Sequence, residues 1–204
     1  MEQQNNFLQS NSKNSLRILT FVITAVLTAL IVGLGVHYWQ NLKIKKVEII
    51  RTTELFPVYG SNKNVTNKEI NFYIRIPKSL ALIEKLKIVA HKLSRFKFDY
   101  LPIEVLKIKS QNSNKIVVVN LRENNWNQNI DWSNPHFLNG NAGITWRAHH
   151  FQGSAGGHFT TITLTETFLQ KEYKGDWIDG IIFLYENEPI RADHVFLSGT
   201  IYRK

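Results

Sequence analysis

Hydrophobic and polar positions divide this chain into one long apolar block and a series of short, alternating ones. From Ile18 to Val36 (ILTFVITAVLTALIVGLGV), nineteen positions carry no charge. At ~1.5 Å per residue, a helix of that length nearly crosses a hydrocarbon core of ~30 Å. Arg17 closes one end, and His37, Tyr38 and Trp39 close the other, as interfacial aromatics do. A soluble core helix normally shows a polar stripe, and here only Thr20, Thr24 and Thr28 interrupt the apolar surface. A cleaved signal peptide has a shorter apolar region and a small-x-small cleavage site, of which Gly33-Leu34-Gly35 is a poor version. The pattern therefore predicts an uncleaved, single-pass transmembrane anchor over residues 16–39. The Asn/Gln/Ser-rich residues 1–15 before it read as a disordered tail.

Beyond the span the blocks shorten. Lys43 to Thr52 (KIKKVEIIRT) reads as an extended linker or first strand, and residues 57–69 (PVYGSNKNVTNKE) as a loop. Residues 40–68 are thus expected to be a linker, with the domain proper over 69–204. Glu69 to Ile76 (EINFYIRI) has the aromatic and β-branched content of a strand, ended by Pro77. Leu82, Leu86, Val89, Leu93 and Phe96 step by 3.6-residue spacing and predict a helix with Ser79 as its cap. Ile103 to Ile108 and Lys115 to Leu121 read as two strands, joined by a turn at Asn112-Ser113-Asn114. Residues 124–145 form a long Asn/Gly-rich loop, with Trp126, Trp132 and Trp146 in or beside it to pin part of it.

Gly153 to Tyr173 (GSAGGHFTTITLTETFLQKEY) is ambiguous. Thr161, Thr163, Thr165 and Thr167 alternate with Ile162, Leu164, Glu166 and Phe168, which is a strand pattern. A helix would use Phe159, Ile162, Leu169 and Tyr173, with Ser154 as cap and Gly175 as terminator. Two more strands follow, Trp177 to Tyr185 and one near Val195 to Tyr202, separated by a turn at Glu186 to Pro189.

Composition narrows the chemistry. The chain has 204 residues and no cysteine, which removes disulfides, thiolate metal sites and cysteine nucleophiles. The formal net charge is +9, and beyond residue 40 it is still +8. Lys13 and Arg17 precede the span, while Lys43, Lys45 and Lys46 follow it. That balance leans toward a cytoplasmic domain. A short polar tail before one N-terminal anchor argues the other way, for export, and export is the expectation adopted.

The candidate sites each have a plain structural explanation beside the functional one. Gly153-Ser154-Ala155-Gly156-Gly157 could cradle an anion at a helix N-terminus, with Arg147 and His158 assisting. A tight turn, or close packing of a helix on a sheet, explains the same residues. Ser154, His158 and Asp193 or Glu166 lack the G-x-S-x-G elbow of a nucleophilic serine. His149, His150, His158 and His194 lack metal-ligand spacing, and adjacent histidines in a strand would face opposite ways. No metal, cofactor or catalytic set is expected. Lys85, Lys87, Lys92 and Arg95 lie on the helix predicted after Pro77 and form a basic surface, which near a bilayer suits anionic lipid rather than nucleic acid.

The order from Glu69 onward, together with Val119-Asn120-Leu121, the Gly153 to Gly157 loop, Leu164-Thr165 with Thr167, and Ile181 to Pro189, resembles the GerMN (sporulation and spore germination) domain. The resemblance covers about residues 69–190. The chain departs from it at the end of the first helix, RFKFDYLP, and in the long Asn/Trp loop. The resemblance implies an α+β fold, β-α-β-β-α-β, like the ring-building motifs of secretion systems, with the ambiguous segment helical. It also implies a non-enzymatic module of the cell envelope that associates with itself or with envelope proteins. The competing expectations are an NTF2-like secretion-system subunit and an envelope hydrolase.

Overall fold

The computed structural model describes residues 2–62, 64, 67–124 and 143–203, with side chains at Phe21 and from Ile23 onward. The chain divides into two units, Met1–Thr52 and Thr53–Lys204. The first is one helix, α1 (Glu2–Thr52). Its Ile23–Thr52 stretch is long and apolar enough to cross a membrane, and its apolar window is wholly unburied. The helix does not stop where the apolar run stops. Residues 43–52, expected as a linker or strand, are helical, and so is the backbone of the expected tail. Pairs one turn apart accompany this extension: Lys43 Nζ lies 3.4 Å over the Trp39 ring, Asn41 bonds His37, and Thr52 Oγ1 donates to the Glu48 carbonyl. Lengthening an existing helix costs far less than starting one.

The second unit opens at Thr53, earlier than the expected boundary at residue 69. It contains β1 (Thr53–Ser61), β2 (Lys68–Pro77), α2 (Leu82–Lys97), β3 (Ile103–Gln111), β4 (Asn114–Leu121), α3 (Ser154–Leu169), β5 (Gly180–Tyr185), β6 (Glu188–Pro189) and β7 (Thr200–Tyr202). Much of the stretch expected as a loop over 57–69 is therefore strand. Phe56 and Val58 alternate into the core and outweigh the signals of Pro57 and Gly60. Pro57 is tolerated because β1 pairs with β2 on one side only.

On α2, Leu86, Val89, Ala90 and Leu93 are buried as the spacing predicts, whereas Phe96 turns outward. Ser79 is not the cap; Ala81 holds that position without a side-chain bond. β3 and β4 form the expected hairpin, and the turn residues Asn112 and Ser113 have φ of 50° and 65°. Both are left-handed, as a tight two-residue turn demands.

β4 pairs with β5 in parallel, from Ile116↔Gly180 to Leu121↔Tyr185. β5 pairs antiparallel with β6 at one end and β7 at the other. The strands expected from Trp177 and from Val195 are shorter than the pattern suggested, beginning at Gly180 and Thr200. A parallel neighbour requires a crossover, and α3 supplies it, so the ambiguous segment is a helix. Four of its threonines fit because their hydroxyls find partners. Thr161 and Thr165 donate to carbonyls four residues back, Thr160 donates to the His150 carbonyl, and Thr167 Oγ1 accepts the Tyr59 N–H. One apolar core joins Phe56, Ile74 and Ile76 of the first hairpin, Leu86 and Leu93 of α2, Val117, Val119 and Leu121 of β4, Leu164 and Phe168 of α3, and Ile181 and Phe183 of β5. The result is an α+β unit with a mixed sheet.

Candidate functional site

The residues singled out by sequence gather where the chain turns into α3. A π-helical turn, Trp146–His150, precedes that helix. Thr145 caps it, its Oγ1 accepting the Ala148 N–H at 3.0 Å. Trp146 is fully buried and donates from Nε1 to the Arg122 carbonyl. Phe98 and His150 pack beside it, with ring centroids 4.8 and 5.3 Å from that of Trp146. The adjacent histidines are thus in a helical turn, not in a strand. Burial drives the His150 pKa down to about 4, although Asp99 Oδ2 lies 3.5 Å away. That distance is too long for a firm hydrogen bond, so a neutral imidazole sits among the rings.

Backbone conformation explains Gly153, and packing explains Gly157. Gly153 has φ of 68°, the left-handed region, and stands at the cap of α3. Ser154 is the first helical residue and is exposed, so it is not the capping side chain. At Gly157 a Cβ would collide with the His194 backbone, whereas at Gly156 it would meet the His149 carbonyl at an ordinary 3.4 Å. The 193–196 segment crosses α3 at that point, and Thr161 Oγ1 accepts the Phe196 N–H at 3.0 Å.

Two clefts flank this segment. Ser154 and His158 line one, of about 470 Å³, with Asn64, Asp193, His194 and Phe196. Arg147 lines the other, of about 540 Å³, with Phe151, Tyr185, Glu188 and Arg191 among its walls. Beside it Glu123, 2% exposed, accepts from the Tyr185 hydroxyl at 3.0 Å and the Arg147 backbone N–H at 3.3 Å. Burial, then the Glu123 charge and hydrogen bond, raise the Tyr185 pKa. The structure therefore brings Ser154 and His158 to one cleft and Arg147 to its neighbour. No hydrogen bond joins Ser154, His158 and Asp193, and no three potential metal ligands cluster, among the described residues. Trp126 and Trp132 lie outside the described residues.

The expected basic surface is smaller than its sequence suggested. Lys85 is buried, and its ammonium lies 2.9 Å from Glu54 Oε1. Its place immediately before Leu86 carries it into the apolar stripe, where Glu54 supplies an anion. Lys87 pairs with Glu84 on the same helix. Lys92 and Arg95 remain outward and flank the Phe96 ring at 5.7 and 5.4 Å. Lys97, the last residue of the same helix and part of the basic face read from the sequence, lies 5.9 Å from the Phe72 ring. Phe72, Tyr73, Arg75 and Phe96 complete a cationic and aromatic surface between β2 and α2. Its one sequence signal is the placement of Tyr73 and Arg75 at the outward positions of an alternating strand.

Comparison with protein families, with curated proteins and with solved structures finds no match to this chain.

Proposed function

We propose that this chain is a single-pass, membrane-anchored module of the cell envelope. In this reading its α+β domain lies outside the cytoplasm and acts by binding and assembly rather than by catalysis, in the manner of GerMN-type domains. The observation that carries the reading is the pairing of two self-sufficient parts. One is an unburied helix over Ile23–Thr52 with the length and composition of a membrane span. The other is a unit beginning at Thr53 with its own closed core. Exposed apolar side chains all round a helix are stable in lipid and not in water.

The residues that could suggest catalysis have structural work in this unit. Gly157 admits the His194 backbone, His150 is packed neutral among rings, and Ser154 and His158 share a cleft without bonding to each other. The two helices and the Val119-Asn120-Leu121 strand support the family proposal. In it, Asn120 exchanges two hydrogen bonds with Asn187 and so fixes the turn after β5.

The test has two parts. Reporters active on only one side of the membrane, fused after Lys204, should give an outside signal; an inside signal overturns the envelope reading. Photo-crosslinking from exposed domain positions in cells should then yield discrete adducts with itself or with envelope proteins. A chain that stays uncrosslinked, and whose Ser154→Ala/His158→Ala variant loses cellular function, would instead be an enzyme.

A further inference from the structure

A groove of about 420 Å³ runs between β2 and α2, walled by Phe72, Tyr73, Ile74 and Arg75 of the strand and Lys92 and Phe96 of the helix. Consecutive side chains of a strand point to opposite faces. Accordingly Ile74 is buried, while Tyr73 and Arg75 are exposed. A single groove meets four consecutive strand residues only if it follows the edge of the strand. β2 pairs with β1 on its other side, and among the described residues no strand occupies this edge.

The main-chain groups that face the groove follow from the pairing. Pro57 lies opposite Tyr73, and Leu55 opposite Arg75. The Pro57 carbonyl accepts from Gln170 Nε2 at 2.8 Å, so it points toward the end of α3 and away from β2. In an antiparallel ladder, opposed residues either exchange both hydrogen bonds or neither. Pro57 and Tyr73 exchange neither. Tyr73 and, two residues on, Arg75 therefore turn their N–H and C=O outward, into the groove. The two edges of this hairpin differ. Thr167 and Gln170 side chains bond to the edge of β1, whereas among the described residues nothing bonds to the Tyr73 and Arg75 edge of β2.

Charge selects what can fill it. Arg75 and Lys92 line the groove, and Arg95 and Lys97 stand beside the same rings. Glu69 is the acid that acts on Lys97. A second copy of a chain carrying +8 beyond residue 40 would set cations against cations. We propose that this groove takes an extended segment of a partner protein, alternating acidic and apolar residues, as a third strand on β2. Main-chain bonds to Tyr73 and Arg75 would hold the segment. Arg75 and Lys92 would read its acids, and Phe72 and Phe96 its apolar side chains. The inference deepens the binding-module reading and rests on it.

The experiment screens a phage-displayed library of random octapeptides against the full chain in phosphatidylcholine nanodiscs. Expected are ligands alternating Asp or Glu with apolar residues, and a synthetic copy that slows hydrogen exchange at the Tyr73 and Arg75 amides. The Arg75→Glu/Lys92→Glu variant should weaken that peptide by about tenfold or more, the size of two reversed rim charges. Ligands that leave both amides unprotected overturn the groove while keeping the binding-module reading, and so do ligands indifferent to the charge reversal. A screen with no ligand also overturns the groove, and the module reading then rests on its own crosslinking test. If nanodiscs containing phosphatidylglycerol protect the same amides without peptide, the surface is a lipid contact and the proposal fails.

Discussion

Removing the carboxylate of Glu54 should loosen the point where the chain enters its α+β unit. Glu54 is the second residue of β1. Its Oε1 lies 2.9 Å from the Lys85 ammonium on α2, and its Oε2 accepts the Tyr173 hydroxyl at 2.5 Å. One carboxylate thus ties the first strand to α2 and to the segment between α3 and β5. The side chains of Lys85 and Glu54 keep only 11% and 20% of their surface exposed. Glu54→Leu leaves the largely buried ammonium without its anion. Stranding a fully buried charge costs ~3–5 kcal/mol. The residual exposure of this pair lowers the expectation to about 2 kcal/mol. For a unit of this size that is a fall of roughly 4–8 °C in Tm. Pairing the change with Lys85→Met should restore most of it, because two apolar side chains need no partner. The double-mutant cycle, read by near-ultraviolet circular dichroism during thermal unfolding in detergent, should give a coupling of at least ~1 kcal/mol. If Glu54→Leu alone is neutral and the cycle is additive, the clasp contributes nothing and the reasoning is wrong. The Tyr173 hydrogen bond, opposed by burial and helped by Lys85, holds the Glu54 pKa below its ordinary value. The contribution of the clasp is therefore present above pH ~4.5 and lost as pH falls further.

Other expectations follow from single contacts. His150 has its pKa pushed by burial from 6.5 to about 4, so the folded state binds fewer protons than the unfolded one between those values. Stability should fall by about 3 kcal/mol as pH drops from ~6.5 to ~4, and His150→Leu should flatten that slope in urea titrations at stepped pH. Gly157→Ala should destabilise by ~2 kcal/mol or more through collision with His194. The neighbouring Gly156→Ala should be neutral or stabilise by ~0.5–1 kcal/mol from helix propensity; equal effects would refute the close-approach explanation. Ser113→Gly, at φ of 65° in the turn between β3 and β4, should stabilise by about 0.5–1 kcal/mol in the same denaturation assay.

Local chemistry was readable where one side of an element faces the core and the other faces solvent. The stripe of α2 and the alternation of β2 follow that rule, and the left-handed pair Asn112-Ser113 was readable from turn chemistry instead. The rule failed for α3, which is buried on most sides, so its hydrophobic residues keep no single face. Its threonines could serve a strand or a helix equally, until four-residue hydroxyl-to-carbonyl bonds and the parallel pairing of β4 with β5 favoured the helix. It failed also for β1, where Pro57 and Gly60 read as loop residues. Pairing with β2, burial of Phe56 and Val58, and the Thr167 and Gln170 side chains that α3 and its C-cap give to the free edge make that segment a strand. The candidate site divided in the same way. Ser154 and His158 reached one cleft, Arg147 another, and Lys85 was withdrawn into the core by an acid thirty-one positions earlier.

By itself, then, the sequence determined an apolar helix of membrane-spanning composition, a basic domain without cysteine, and the β3–β4 hairpin and α2, whose residues interact within one strand pair or one turn. Those features depend on neighbours a few positions apart, and the order of residues states such neighbours directly. Tertiary structure decided the helical state of α3, the strand state of β1, the burial of Lys85 and His150, and the open edge of β2. Most of these depend on partners far apart in the chain, 31 positions for Glu54 and Lys85 and 108 for Tyr59 and Thr167, and burial and hydrogen bonding at those distances are set by the packing of the whole unit.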